Sequence, residues 1–196
     1  MLRDTISSKR RLAVAGITAI SVLAVAVPAA AQTGGTGSPG STTTPTTTTA
    51  PVGPPGHATL RKDGTAVAPA DAPANIQAAV AAGNAIHTFP YVWGGGHRSF
   101  TDTGYDCSGA VSYVLHAAGL LASPMPSGPM ASSWGAPGKG RWITVYANAS
   151  HAYMIVAGLR FDTSSGGDRW NQGSGPRWRK KKRKPVGFTA KYAPGY

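Results

Sequence analysis

The chain holds one cysteine, Cys107, inside the run Tyr105-Asp-Cys-Ser-Gly109. A glycine-rich stretch, Gly94 to Gly96, lies before it and an apolar pattern of helical period follows it, so the thiol falls at the start of a helix. At that position the unsatisfied N–H groups and the positive end of the helix dipole favour the thiolate. A thiolate nucleophile needs a base, and the chain offers five histidines. His57 adjoins a Pro/Thr-rich stretch, His87 ends a helical pattern, and His116 lies nine residues beyond Cys107, about 13.5 Å along a helix axis. None of these is an obvious partner, and His97 reads as a loop residue, with a cleft wall as the alternative. His151 opens a strand-like run, where a rigid element can aim an imidazole at the thiol.

An imidazole in that role needs an orienting group. Residues 151 to 157 alternate as a strand, and Gly158-Leu159 reads as a two-residue hairpin turn with Gly first. That turn pairs Ile155 with Asp162 and sets Asp162 on the face that carries His151. A register change of one residue would bring Phe161 or Thr163 round instead. Tyr91 offers a hydroxyl, and with the Cys107 backbone N–H it could stabilise an oxyanion; the competing reading is a half-buried core aromatic. Trp93 reads as packing.

The elements that must position these groups follow from periodicity and breakers. Asp71-Ala-Pro73 starts a helix whose apolar face is Ile76, Val80, Gly83 and Ile86, and Pro90 ends the run. The second helix carries Ala110, Val111, Val114, Leu115 and Ala118 on its apolar face, with Gly119 near its end. Residues 122–140 are rich in Pro, Gly and Ser and read as loop. Strands are expected at 142–146 and 151–157, with a final one at 187–191. Helices before strands give an α+β layered fold.

Upstream of the domain the composition changes twice. Arg3, Lys9, Arg10 and Arg11 precede an apolar run from Leu12 to Val27, and Ala29-Ala-Ala31 supplies small residues, which reads as a signal peptide over 1–31. An uncleaved anchor is the alternative reading, since Leu12 to Ala31 is uncharged. Residues 32–56 are almost all Thr, Ser, Gly and Pro and carry no charge, so they form a disordered linker. The folded domain is then 57–196. In an exported chain an unpaired thiol is a liability that packing alone does not require, which weighs against a buried structural cysteine.

Composition removes several function classes. All 7 acidic residues are Asp, so H-E-x-x-H zinc sites and paired-Glu glycosidases are excluded. One Cys excludes internal disulfides and cysteine-rich zinc modules. No Gly-Lys-Ser/Thr follows the glycines at 94–96, and no Gly-x-Ser-x-Gly occurs. No metal or cofactor is expected.

Tyr91-Val-Trp-Gly-Gly, Asp106-Cys-Ser-Gly109 and a strand-borne His151 together resemble the NlpC-type papain-like cell-wall cysteine peptidases, over about residues 73 to 165. The resemblance implies N-terminal helices carrying the Cys packed on an antiparallel sheet, and hydrolysis of peptide bonds in peptidoglycan stems. It implies Cys107 and His151 as catalytic residues, with Asp162 nearest to the third position, and Tyr91 beside the oxyanion. It also implies that Asp106 and Ser108 help hold substrate.

The remaining feature is the basic run of Arg177, Arg179, Lys180, Lys181, Lys182, Arg183 and Lys184. Repulsion among like charges makes it a solvated, exposed loop. Export makes nucleic acid a poor partner and favours anionic wall polymers or membrane headgroups. The sequence therefore supports a secreted peptidoglycan hydrolase located at the cell wall. Two alternatives stay open: a non-catalytic wall-polymer-binding surface protein on the same fold, and an amidase or acyltransferase with the same Cys/His chemistry.

Overall fold

The computed structural model describes residues 56–164, 175–180 and 182–196. The expected signal peptide, all of the expected linker but Gly56, and Lys181 of the basic run lie outside the described residues. Gly56 itself donates its N–H to Asp71 Oδ2 at 3.0 Å. Among the described residues no helix is long and apolar enough to cross a membrane.

The described chain is α+β. A small hairpin of β1 (Thr59–Leu60) and β2 (Ala66–Val67) leads into α1 (Ala74–Ile86) and α2 (Cys107–Ala117). A short α3 (Ser127–Ser132) and β3 (Ala136–Pro137) follow, inside the stretch read as loop. Then come β4 (Ile143–Ala147), β5 (Ala152–Val156), β6 (Leu159–Asp162), β7 (Arg177–Arg179) and β8 (Thr189–Tyr192). The main sheet is antiparallel in the order β3-β8-β4-β5-β6-β7, with β4 and β5 at its centre. Sequence pattern missed α3 because Pro126 and Gly128 mask its one buried apolar side chain, Met130.

Alternation along the strands divides the sheet chemically. Val145, Met154, Val156, Leu159, Phe161 and Trp178 join the apolar core with Ile76, Val80, Val111, Val114 and Leu115 of the helices. The register Ile155↔Arg160 and Asp162↔Arg177 gives the opposite face a polar set: Tyr153, Arg160, Asp162, Arg177 and Arg179. This face is covered all the same, for Tyr153, Asp162 and Arg179 are buried.

Two expectations are corrected here. The β5–β6 turn is Ala157-Gly158, not Gly158-Leu159. Ala157 (φ 44°) and Gly158 (φ 82°) both have positive φ, as a type I′ turn requires. Asp162 therefore lies two positions further along β5, in line with Tyr153 rather than Ile155, and a shift of two residues keeps it on the same face. The basic run is not wholly solvated either. Its first three residues form β7, where Trp178 packs 4.7 Å from Phe161 and Arg179 is fully buried. A Cβ at Gly83 would lie 2.3 Å from Trp178 Cζ2, so α1 rests directly on β7 and the indole holds the run's start in the core.

This anchoring has a measurable consequence. Trp178→Ala should cost about 3–5 kcal/mol in denaturant unfolding, whereas Lys180→Gln and Lys182→Gln, both exposed, should each stay within about 0.5 kcal/mol of the parent. Equal effects at all three positions would show that β7 is not a core strand.

Candidate active site

Cys107 is buried at the first position of α2, and the residues before it explain why the helix begins there. Asp106 is the N-cap, with extended backbone (φ −85°, ψ −173°), and its Oδ1 accepts the Gly109 N–H at 2.8 Å. Its Oδ2 accepts the Gly94 N–H at 3.2 Å and lies 2.8 Å from His97 Nε2. Ser108 Oγ donates to Asp106 Oδ1 at 3.2 Å and sits 3.0 Å from His97 Nε2. A Cβ on Gly109 would come within 2.0 Å of Gly95 O, so the glycine of one motif and the loop of the other meet backbone to backbone. The glycines thus lock the loop onto the helix start.

Tyr91 bridges Tyr105 across this loop, with Tyr105 N donating to Pro90 O at 3.1 Å and Val92 N to Tyr105 O at 3.3 Å. Its phenol is half-buried, and its pKa is raised by that burial and then by the nearby charges of Cys107 and Asp106. Trp93, read as packing, is 86% exposed on the outside of the same loop. Its neighbours Gly94 to Gly96 leave it no wall to pack on.

His151 sits immediately before β5, in the turn after β4. Asn148 builds that turn: its Oδ1 accepts the N–H groups of Ser150 and His151, each at 2.9 Å, and its N–H donates to His151 O at 3.0 Å. The imidazole then meets Asp162, the last residue of β6, with Nε2 3.0 Å from Oδ1. The Cys107 side chain is the other group close enough to act on the imidazole. Since Nε2 is engaged by the carboxylate, Nδ1 is the nitrogen left to face the thiol. The structure thus brings Cys107, His151 and Asp162 together, the last two joined by a hydrogen bond, with Tyr91 near the thiol.

The electrostatics follow from that series. Burial alone would lower the pKa of His151, but hydrogen bonds with Asp162 and then Cys107, and the charges of both, raise it to about 9. Burial would push the Asp162 carboxyl up. Hydrogen bonds from His151 and from the Ser164 N–H (2.9 Å) and Oγ (2.7 Å) instead hold it well below the usual carboxylate range. Arg160 Nε at 3.5 Å and Arg183 Nη1 at 3.4 Å add two cations beside its Oδ2.

The other histidines are engaged elsewhere. His87 Nδ1 meets Asn84 O at 2.6 Å, His116 stacks on Phe100 at 3.8 Å, and His57 lies against Gly158. His97, read as a plain loop residue, joins the Asp106–Ser108 pair. Asn148, Ser164 and Arg183 were not singled out for the site from sequence either. An Asn three residues before a histidine that opens a strand was the one legible signal for a built turn. Among the described residues no group of three or more His, Cys, Asp or Glu side chains could hold a metal ion.

No family model and no curated protein matches the chain. Among solved structures, a hypothetical invasion protein of Mycobacterium tuberculosis is similar at 19% identity with a TM-score of 0.42, over 60% of this chain and 63% of that one. This chain thus spans less than two thirds of that neighbour's length.

The shifted pKa values set a stability window. The raised His151 value contributes stability fully below about pH 6.5 and loses it as pH rises through about 9; the depressed Asp162 value contributes above its ordinary pKa near 3.8 and loses it in stronger acid. Asp162→Asn should therefore lower stability by on the order of 2 kcal/mol between pH 5 and 7, with the gap to the parent narrowing above pH 9. Urea melts across that range check it, and a pH-independent gap would contradict the ion pair.

Proposed function

We propose that this chain is a secreted cell-wall cysteine peptidase of the papain-like NlpC type, cleaving peptide bonds in peptidoglycan stems. The observation that carries the reading is the Cys107–His151–Asp162 series, with the thiol at a helix start. The motifs around Tyr91 and Cys107, and the signal-like N-terminus, support the substrate and location.

In this reading His151 holds a proton as imidazolium, and the Cys107 thiolate attacks the scissile carbonyl carbon. The oxygen becomes an oxyanion, which the Cys107 backbone N–H and the Tyr91 hydroxyl stabilise; one such donor is worth about 3 kcal/mol in comparable sites. Nδ1 of His151 then gives its proton to the leaving amine as the C–N bond breaks. Water, deprotonated by the now neutral imidazole, attacks the thioester; the C–S bond breaks, the acid product leaves and loses its proton to solvent, and the thiolate–imidazolium pair is restored. Asp162 keeps the ring oriented and stabilises its charged form throughout. The Asp106–Ser108–His97 cluster lies next to the nucleophile and holds the end of the substrate on that side. No metal or cofactor enters any step.

Isolated walls digested with the protein should release soluble fragments bearing new stem-peptide amino termini, read by mass spectrometry. Cys107→Ala and His151→Ala should release none, and Cys107→Ala should keep its unfolding stability within about 2 kcal/mol of the parent. Fragment release by Cys107→Ala would overturn the cysteine mechanism. Products with new sugar ends but intact stems would overturn the substrate.

The exposed Lys180, Lys182 and Lys184 give this domain a basic surface suited to an anionic wall polymer. Replacing all three with Gln should weaken co-sedimentation with walls at low salt, with the difference fading as the Debye length falls below about 10 Å above 0.1 M. Cleavage of a small soluble stem peptide should hardly change. Equal wall binding at every salt concentration would reject the surface as an anchor.

A further inference from the structure

We propose that Arg183 is a positioning residue for this site, a clamp that fixes Asp162 and the aromatic ring covering His151. The proposal rests on the thiol–imidazole reading above. Arg183 belongs to the basic run, and its neighbours Lys182 and Lys184 are exposed, yet its own side chain turns inward onto the polar face of the sheet. The guanidinium stacks 5.0 Å from the Phe188 ring centre and 5.4 Å from that of Tyr153. Phe188 in turn meets both rings edge-on, Tyr153 at 5.1 Å and His151 at 6.1 Å. One nitrogen of the same guanidinium, Nη1, lies 3.4 Å from Asp162 Oδ2.

These contacts divide the work on Asp162. Oδ1 receives His151 Nε2 and the Ser164 N–H, while Oδ2 receives Ser164 Oγ and faces the cations Arg160 and Arg183. Ser164 and Arg160 belong to β6 or its immediate end, as Asp162 does, so they move with it. Arg183 comes from the separate connection between β7 and β8, and it closes the carboxylate in from outside the hairpin. The same connection is tied to the His151 turn, because Asn148 Nδ2 donates to Gly187 O at 3.0 Å. Arg183 and Asn148 therefore hold one segment against both halves of the His–Asp pair.

The other charged groups facing this pair are accounted for. Arg177 stands opposite Asp162 in register, Arg179 donates to Ser164 O, Tyr153 lies behind the carboxylate, and Cys107 takes the far side of the imidazole. Arg183 reaches from Asp162 to the ring over His151. A lysine would keep the charge but not the planar face between Tyr153 and Phe188.

The test reads Cys107 directly and needs no wall substrate. Iodoacetamide alkylation of the full chain is followed by mass spectrometry at pH 5.5, where a thiol reacts only if an oriented imidazolium stabilises its anion. Arg183→Ala should slow alkylation about fivefold, and in an Asp162→Asn background it should change the rate by less than about 1.5-fold, because the clamp acts through that carboxylate. Arg183→Lys should slow it at least about twofold, and it carries the comparison if the alanine variant does not fold. A parental rate in the Lys and Ala variants, or the same fold-change with and without Asp162, would overturn the clamp. A parent whose own alkylation follows an ordinary free thiol would instead overturn the thiol–imidazole reading beneath it.

Discussion

The hydrogen bond between His151 Nε2 and Asp162 Oδ1 is the constraint that organises this domain's polar face. A buried carboxylate is costly unless its charge is met, and Asp162 meets it on every side: imidazole and backbone N–H at Oδ1, hydroxyl and two guanidinium groups around Oδ2. Engaging Nε2 leaves Nδ1 as the ring nitrogen open to the thiol side. The rest of the sheet exists, from this standpoint, to hold two strand ends at 3.0 Å.

Each supporting element contributes to that distance. The type I′ turn at Ala157-Gly158 sets the β5–β6 register, and a slip of one residue would carry Asp162 to the core face, where Phe161 packs. Asn148 fixes the turn that presents His151. On the helix side, contact between Gly95 and Gly109 sets where α2 begins, and Asp106 caps it. Cys107 and His151 thus come from separately fixed elements whose positions are determined by backbone contacts more than by side-chain flexibility.

Much of this was legible in the residues. The position of Cys107 followed from glycines before it and helical periodicity after it. Asp162 could be assigned to the face of His151 because side-chain direction depends only on parity, so the conclusion survived a turn placed one residue late. The basic run was read by charge alone, and that was the wrong level: Trp178 inside it is a core residue, and its packing on Gly83 draws Arg177 and Arg179 into the sheet. Arg183 was opaque for a related reason. Its role depends on Phe188 and Tyr153, which come near it only after β5 and β8 have paired with β4. Short elements such as α3 and the β1–β2 hairpin carried too few apolar residues to show a period.

The most direct test of the account is the titration of His151 itself, followed by NMR of the imidazole Cε1–H in the parent protein. The account predicts that His151 stays imidazolium through neutrality, titrates with a midpoint near 9, and keeps Nε2 protonated toward Asp162 when it loses its Nδ1 proton. A midpoint at or below the ordinary histidine value of about 6.5 would contradict the ion-paired series from which the function is argued.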